Sequence, residues 1–199
     1  MRIPVIILVY CMYIIAVLYL CMILLFPSRY IYWLPTIHVY QFNRCEDNLV
    51  ESRMLKRTKS DYEFFQYTDK SVSSIFSHVV PHTISELDAM IQQPHVVYTI
   101  LFFKYTINRA RPYQINPNIK PLYSSTANTP AYPAGHAFQA YYLARVLGNK
   151  YPKLQTKLDT MARRCDDVRV AAGLHYPSDG AFAHSLVNMF LQFNCLFSL

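Results

Sequence analysis

Residues 3–28 run without a single formal charge, directly after Met1-Arg2. As a helix, such a run reaches ~39 Å against a hydrocarbon core of roughly 30 Å, so it can span a bilayer with some tilt. A cleaved secretory signal has a shorter apolar stretch, about 7–15 residues, and a small-residue exit. Phe26-Pro27-Ser28-Arg29 is a poor cleavage site, and Tyr30, Tyr32 and Trp33 follow as an interfacial aromatic belt would. Residues 1–28 are therefore expected to be an uncleaved, single-pass membrane anchor. Arg2 lies on one flank and Arg29, Arg44 and Arg53 on the other, so the charges leave open which side of the membrane holds the body.

The mean hydropathy of the 199-residue chain is only +0.11, which fits one apolar segment on a water-facing body better than a many-helix membrane protein. The net charge of +7 is unevenly placed. Residues 1–99 carry 8 Lys/Arg and 8 Asp/Glu, whereas residues 100–199 carry 11 and 4, so the whole surplus lies in the second half. A basic half implies an anionic partner: nucleic acid, anionic lipid or a phosphorylated substrate. The cations occur singly rather than as a patch, and no familiar DNA- or RNA-binding motif is present, which argues against nucleic acid. Cys11 and Cys21 fall inside the apolar run. Cys45, Cys165 and Cys195 have no metal-type spacing and read as buried thiols.

Residues 29–80 read as a linker leading into the core, with charges of both signs balanced between Arg44 and Lys70. Residues 81–199 form the core, punctuated by Pro into short helices and loops. Helices are expected over 85–93, over 94–110 with Pro at the first position, and over 136–147 with Gly148 as C-cap. Residues 111–133 are Pro-rich loop, 153–167 is helix-compatible, and 177–197 is the last helix. That helix carries a polar stripe of His184, Ser185, Asn188 and Gln192, which favours a core helix over a second membrane span. No strand alternation is convincing, so the body is expected to be all-α. His78 and His82 have the spacing of a metal pair, but Pro81 breaks the helix and no third ligand follows, so they read as loop.

Three spacings in the basic half carry chemistry. In Lys104-x6-Arg111-Pro112, the seven-residue separation places both cations two turns apart on one side of a continuous helix. In Tyr132-Pro133-Ala134-Gly135-His136, a Pro-Gly loop opens a helix whose free N–H groups suit an anion. In Arg169-x5-His175-x3-Asp179, Pro177 can start a helix and bring Asp179 within reach of one imidazole nitrogen of His175. Each pattern alone would arise by chance in roughly one to three chains per hundred of this composition. Their occurrence together, in order, is far rarer.

In this order the patterns resemble the signature of the type 2 phosphatidic acid phosphatases, a superfamily shared with bacterial non-specific acid phosphatases and vanadium haloperoxidases. That signature reads K-x6-R-P, P-S-G-H and S-R-x5-H-x3-D. The resemblance implies an all-α helical bundle with the motifs converging on one phosphate site and no metal or other cofactor. It implies that His175 is the nucleophile, forming a phosphohistidine; that Asp179 fixes its tautomer; and that His136 protonates the leaving oxygen and later activates water. Lys104, Arg111, Arg169 and the Gly135 N–H would bind the non-bridging oxygens. The implied substrate is a phosphomonoester, with the anchor favouring lipid phosphates such as phosphatidic acid or isoprenyl phosphates.

Two positions depart from the signature: Ala134 and Val168 stand where the family has Ser. The first removes a hydroxyl that donates to phosphate, a loss of about 1–3 kcal/mol unless another donor compensates. Two alternatives follow from the same residues. Vanadate is isosteric with the phosphoryl transition state and would fit the same cations, as in a vanadium-dependent haloperoxidase. A non-catalytic, membrane-tethered protein binding anionic lipid or phosphate would be compatible with Ala134.

Overall fold

The computed structural model describes the backbone of residues 44–197 and the side chains of residues 46–192. The expected anchor lies outside the described residues. Among those described there is no strand, and no helix is long and apolar enough to cross a membrane.

The fold begins earlier than the sequence suggests. Helix α1 (Arg44–Leu55) and helix α2 (Lys59–Thr68) occupy much of the stretch that reads as linker. Their charges lie mostly on outward faces, while Val50 and Phe65 are fully buried, so the balanced charge pattern hides two packed helices. Thr58 starts α2 through a capping box with Asp61. Both helices pack on the later helix α8. A short α3 (Ser73–Phe76) precedes α4 (Ile84–Ile91), which opens with a second capping box, Thr83 with Glu86.

Helix α5 (Pro94–Ile107) has Pro at its start, as expected, but ends three residues before position 110. Asn108 adopts the left-handed conformation, φ 50°, and its N–H bonds the Lys104 carbonyl at 2.8 Å. Asn is among the few non-Gly residues that tolerate this conformation. The chain therefore turns before Arg111, which lies one residue ahead of a separate short helix, α6 (Pro112–Ile115). Lys104 and Arg111 are consequently not two turns apart on one helix.

A long loop leads through a cis Tyr132–Pro133 peptide into α7 (Gly135–Lys150). Gly148 does not cap this helix but lies inside it, buried. A Cβ there would fall on the side-chain amide of Gln155, so the glycine leaves room for that amide, which donates to Asp159. A 3₁₀ turn (Pro152–Leu154) joins α7 to α8 (Gln155–Ala171), and the chain ends in α9 (Pro177–Phe197).

Helix α7 is the centre of the bundle, packing most extensively on α8 and then on α9. Its Ala137, Phe138, Ala140, Leu143, Ala144 and Leu147 are buried against residues such as Leu87, Leu158 and Val187. On α9, Ala183, Leu186 and Val187 face this core while His184 and Ser185 are exposed, so the expected polar stripe is the solvent side.

The end of α8 sets the geometry of the site. Gly173, φ 73°, closes the helix in a Schellman motif: its N–H bonds the Val170 carbonyl at 2.9 Å, and the Leu174 N–H bonds the Arg169 carbonyl at 3.1 Å. A Cβ at Gly173 would lie 2.9 Å from Ile119 Cγ2 and 3.3 Å from Pro121 Cα. We expect Gly173→Ala to destabilise the fold by about 1–3 kcal/mol, from left-handed strain plus this contact. Thermal melting of the two proteins side by side checks it, and an unchanged midpoint would mean that the turn relaxes freely.

Candidate active site

His175 follows that turn, and Pro177 starts α9 two residues later. The first turn of α9 carries Asp179, whose Oδ2 lies 3.1 Å from His175 Nδ1 and 2.9 Å from the Tyr176 N–H. A carboxylate only accepts, so Nδ1 carries the proton and the lone pair is on Nε2. The Arg111 guanidinium NH1 points at that Nε2 from 3.1 Å.

Arg111 is fixed by backbone oxygens: Nε donates to Thr129 O at 3.0 Å and NH1 to Leu174 O at 2.9 Å. Lys104, projecting from the last turn of α5, donates through Nζ to the Pro130 carbonyl. Neither cation has a carboxylate in contact among the described residues, although they are only 4% and 3% exposed. Arg169, at the end of α8, has an acid partner. Its NH1 meets Asp69 Oδ1 at 2.7 Å, and Ser124 Oγ bridges the two side chains.

Asp69 also reaches the second histidine, through its backbone. His136 Nε2 lies 2.9 Å from the Asp69 carbonyl. A carbonyl can only accept, so Nε2 is the protonated nitrogen and Nδ1 is left to exchange a proton. Gly135, the first residue of α7, lies against Lys104: a Cβ on it would be 3.6 Å from Lys104 Cε. Lys104, Arg111, Arg169, Gly135, His136, His175 and Asp179 are thus brought to one place, from α5, the turn before α6, the start of α7, the end of α8 and the start of α9. Gly135 and His136 keep partial exposure, whereas the other five are buried. The accessible side is the N-terminus of α7, where free N–H groups favour an anion.

Electrostatics follow from this burial. His175 is held well below its ordinary pKa by burial and then by Arg111, Lys104 and Arg169. Burial and Arg169 lower His136 to about 3, against the small opposing effect of the Asp69 carbonyl. Burial, and after it Arg111, lowers Lys104; Arg111 itself comes down to about 10, mainly through burial. Burial pushes Asp179 up, with Arg109 opposing. Lys104, Arg111, His136 and His175 are each shifted toward the uncharged form, a shift that an incoming anion would offset. Among the described residues no three His, Cys, Asp or Glu side chains gather into a metal-holding cluster. Cys165 is a buried thiol, raised to about 12 by burial.

Sequence spacing does not single out Asp69, Ser124, Glu46 or Arg109. Asp69 and Glu46 lie in the stretch that reads as linker, and Ser124 in a loop without periodicity. Arg109 is one of the unspecified residues between Lys104 and Arg111. Arg109 NH1 donates to Asp179 Oδ1 at 2.6 Å and to Ser178 Oγ at 2.6 Å, and NH2 meets Glu46 Oε2 at 2.9 Å. Only its position two residues ahead of Arg111, in the same basic stretch, hints at this. His78 and His82 stay apart from the site: His78 pairs with Tyr67, and His82 with Lys150 and Tyr151.

The chain is similar to a solved structure described as the first transmembrane PAP2 type phosphatidylglycerolphosphate phosphatase from Bacillus subtilis. The likeness has a TM-score of 0.53 at 16% sequence identity, over 81% of this chain and 88% of that one. The fold is PAP2-like. No known family profile matches the chain, and no curated protein does. At this identity the likeness bears on the fold, in keeping with the all-α bundle expected from the sequence.

The neutral histidines give a pH prediction. In the unfolded chain both protonate near 6.5, whereas in the folded chain both resist protonation, so the unfolded chain binds more protons below that pH. Their contribution to stability is complete above about 6.5 and is lost as the pH falls, toward about 3 for His136. Melting in phosphate-free buffer should show a midpoint that declines steadily below pH 6.5, with a shallower decline in His136→Gln. A flat profile down to pH 4 would contradict the neutral, buried state of these rings.

Proposed function

We propose that this chain is a membrane-anchored, metal-independent phosphatase of phosphomonoesters that works through a phosphohistidine on His175. The observation that carries the reading is the pair of buried cations, Lys104 and Arg111, whose partners among the described residues are carbonyl oxygens beside the lone pair of His175 Nε2. Burying an uncompensated cation is costly unless an anion completes the site. A phosphoryl group supplies that anion, and Nε2 is placed to attack it.

In the first step the Nε2 lone pair attacks phosphorus, the bond to the leaving oxygen breaks, and that oxygen takes a proton from His136. In the second step water attacks phosphorus as the Nε2–P bond breaks, and His136 takes the water proton. His136 can serve as the acid once a phosphate dianion is bound, because the anion's charge offsets the burial and the Arg169 charge that otherwise keep the ring neutral. Its Nε2–H is committed to Asp69, so Nδ1 is the working nitrogen. Asp179 holds Nδ1–H of His175 and stabilises the imidazolium character that develops. Lys104, Arg111, Arg169 and the Gly135 N–H bind the non-bridging oxygens, neutralising charge that other phosphoryl-transfer sites leave to magnesium.

The apolar run over residues 3–28 favours a substrate at the bilayer surface: phosphatidic acid, a related lipid phosphate or an isoprenyl phosphate. The PAP2-like structural neighbour, described as a phosphatidylglycerolphosphate phosphatase, supports the same substrate class.

The test is phosphate release from a panel of lipid and soluble phosphomonoesters, with and without EDTA. We expect release that is insensitive to EDTA and reduced by several orders of magnitude in His175→Ala. His136→Ala should instead accumulate an acid-labile phosphoenzyme with p-nitrophenyl phosphate, whose leaving group needs no acid. Wild-type turnover in His175→Ala would leave an anion-binding protein as the better reading.

Ala134 is fully buried and caps α7 without a side-chain bond, while its N–H donates to the Asp179 carbonyl at 3.1 Å. Ala134→Ser adds one hydroxyl at the start of α7, beside the anion site. It should raise turnover by roughly 10-fold or more if the hydroxyl reaches a phosphate oxygen. Steady-state kinetics decide this, and an unchanged rate with a higher melting midpoint would mean that the hydroxyl caps the helix instead.

A further inference from the structure

We propose that Arg109 is a positioning residue for the His175–Asp179 pair, with Glu46 as its counter-charge, a role that rests on the phosphatase reading above. Arg109 donates to Asp179, Ser178 and Glu46, on the Nδ1 side of the pair rather than at Nε2, where Arg111 points. It is buried, and its guanidinium lies over the Tyr176 ring, 3.9 Å from the centroid, with its edge on Asp179 Oδ1. Oδ1 is thereby occupied by Arg109 while Oδ2 serves His175 and the Tyr176 N–H. Both oxygens of the carboxylate are tied, so Asp179 cannot rotate away from Nδ1.

Glu46 completes the arrangement from α1. Its Oε2 meets Arg109 NH2 at 2.9 Å and accepts from Ser178 Oγ at 2.9 Å, while Oε1 accepts from the Ser178 N–H at 2.8 Å. The Ser178 N–H belongs to the first turn of α9, so Glu46 caps the helix that carries Asp179. A continuous chain of charge-assisted bonds runs from Glu46 through Arg109 and Asp179 to His175, with alternating sign.

The alternation makes the two ends separable. His175 faces Arg111, Lys104, Arg169 and His136 as well as Asp179; Asp179 also interacts with Arg109, Lys104, Arg111, Tyr132, Tyr176 and Asp166. Removing the Arg109 charge leaves Asp179 more negative, so the His175–Asp179 pair takes up a proton at higher pH. Removing the Glu46 charge leaves Arg109 more effective, so the pair takes up its proton at lower pH. A residue that merely supported the fold would not produce opposite shifts.

The experiment compares full-length wild type, Arg109→Gln, Arg109→Lys and Glu46→Gln by the pH profile of kcat/KM, by orthovanadate inhibition, and by imidazole 15N shifts of His175. In Arg109→Gln the acid limb should rise by about one pH unit or more. Its kcat near pH 6 should fall about 10–100-fold. Vanadate inhibition should stay within about threefold, since the anion-binding cations are untouched. Glu46→Gln should move the limb downward, and Arg109→Lys, which keeps the charge, should stay near wild type. The 15N shifts report the same protonation without turnover, so an inactive wild type would count against the phosphatase reading while opposite shifts would still support the relay. Should Arg109→Gln not fold, the downward shift in Glu46→Gln carries the test alone. Shifts in the same direction, no shift, or turnover and vanadate inhibition lost in parallel would overturn the proposal.

Discussion

Two cations held inside the protein by carbonyl oxygens set the terms for the rest of this structure. Lys104 and Arg111 bond Pro130, Thr129 and Leu174 through backbone oxygens rather than carboxylates. A carbonyl dipole offsets only part of a buried charge, so the bundle must be rigid enough elsewhere to tolerate the remainder. The rigidity comes from α7 at the centre of the apolar core and from two acid–base pairs. Asp69 with Arg169 ties the segment after α2 to the end of α8, and Glu46 with Arg109 ties α1 to the turn between α5 and α6. The earliest helices described are therefore part of the site's support, not a linker to it.

The chemistry-bearing residues were legible in the sequence because their identity and spacing are constrained together. Pro177 opens α9 and places Asp179 one turn past His175, as the spacing implies. The start of α7 at Gly135 is likewise local, a Pro-Gly loop opening a helix. Where the reading went astray, a single backbone choice intervened. Asn108 takes the left-handed conformation and ends α5, which puts Arg111 beside His175 by way of a turn instead of along one helix face. Gly148 reads as a stop signal because glycine often ends helices, but here it lies inside α7 beside the Gln155 side chain.

The supporting residues were not legible for a different reason. Asp69, Ser124, Glu46 and Arg109 act through tertiary contacts between segments separated by 45 to 132 residues, and nothing in their neighbours' periodicity marks them. Asp69 is the clearest case. Its carboxylate and its carbonyl serve different partners, Arg169 and His136, and only the folded chain shows both. The PAP2-like neighbour, at 16% identity, shares the fold over 81% of this chain, so the architecture persists where most side chains differ.

The central claim is that these side chains form one oxyanion site with His175 Nε2 at its apical position. A structure of the full chain with orthovanadate tests it directly. The account predicts vanadium bonded to Nε2 of His175, equatorial oxygens contacted by Lys104, Arg111, Arg169 and the Gly135 N–H, and His136 beside the opposite apical oxygen. Vanadate bound away from His175, or held by these cations with Nε2 turned from it, would contradict the account.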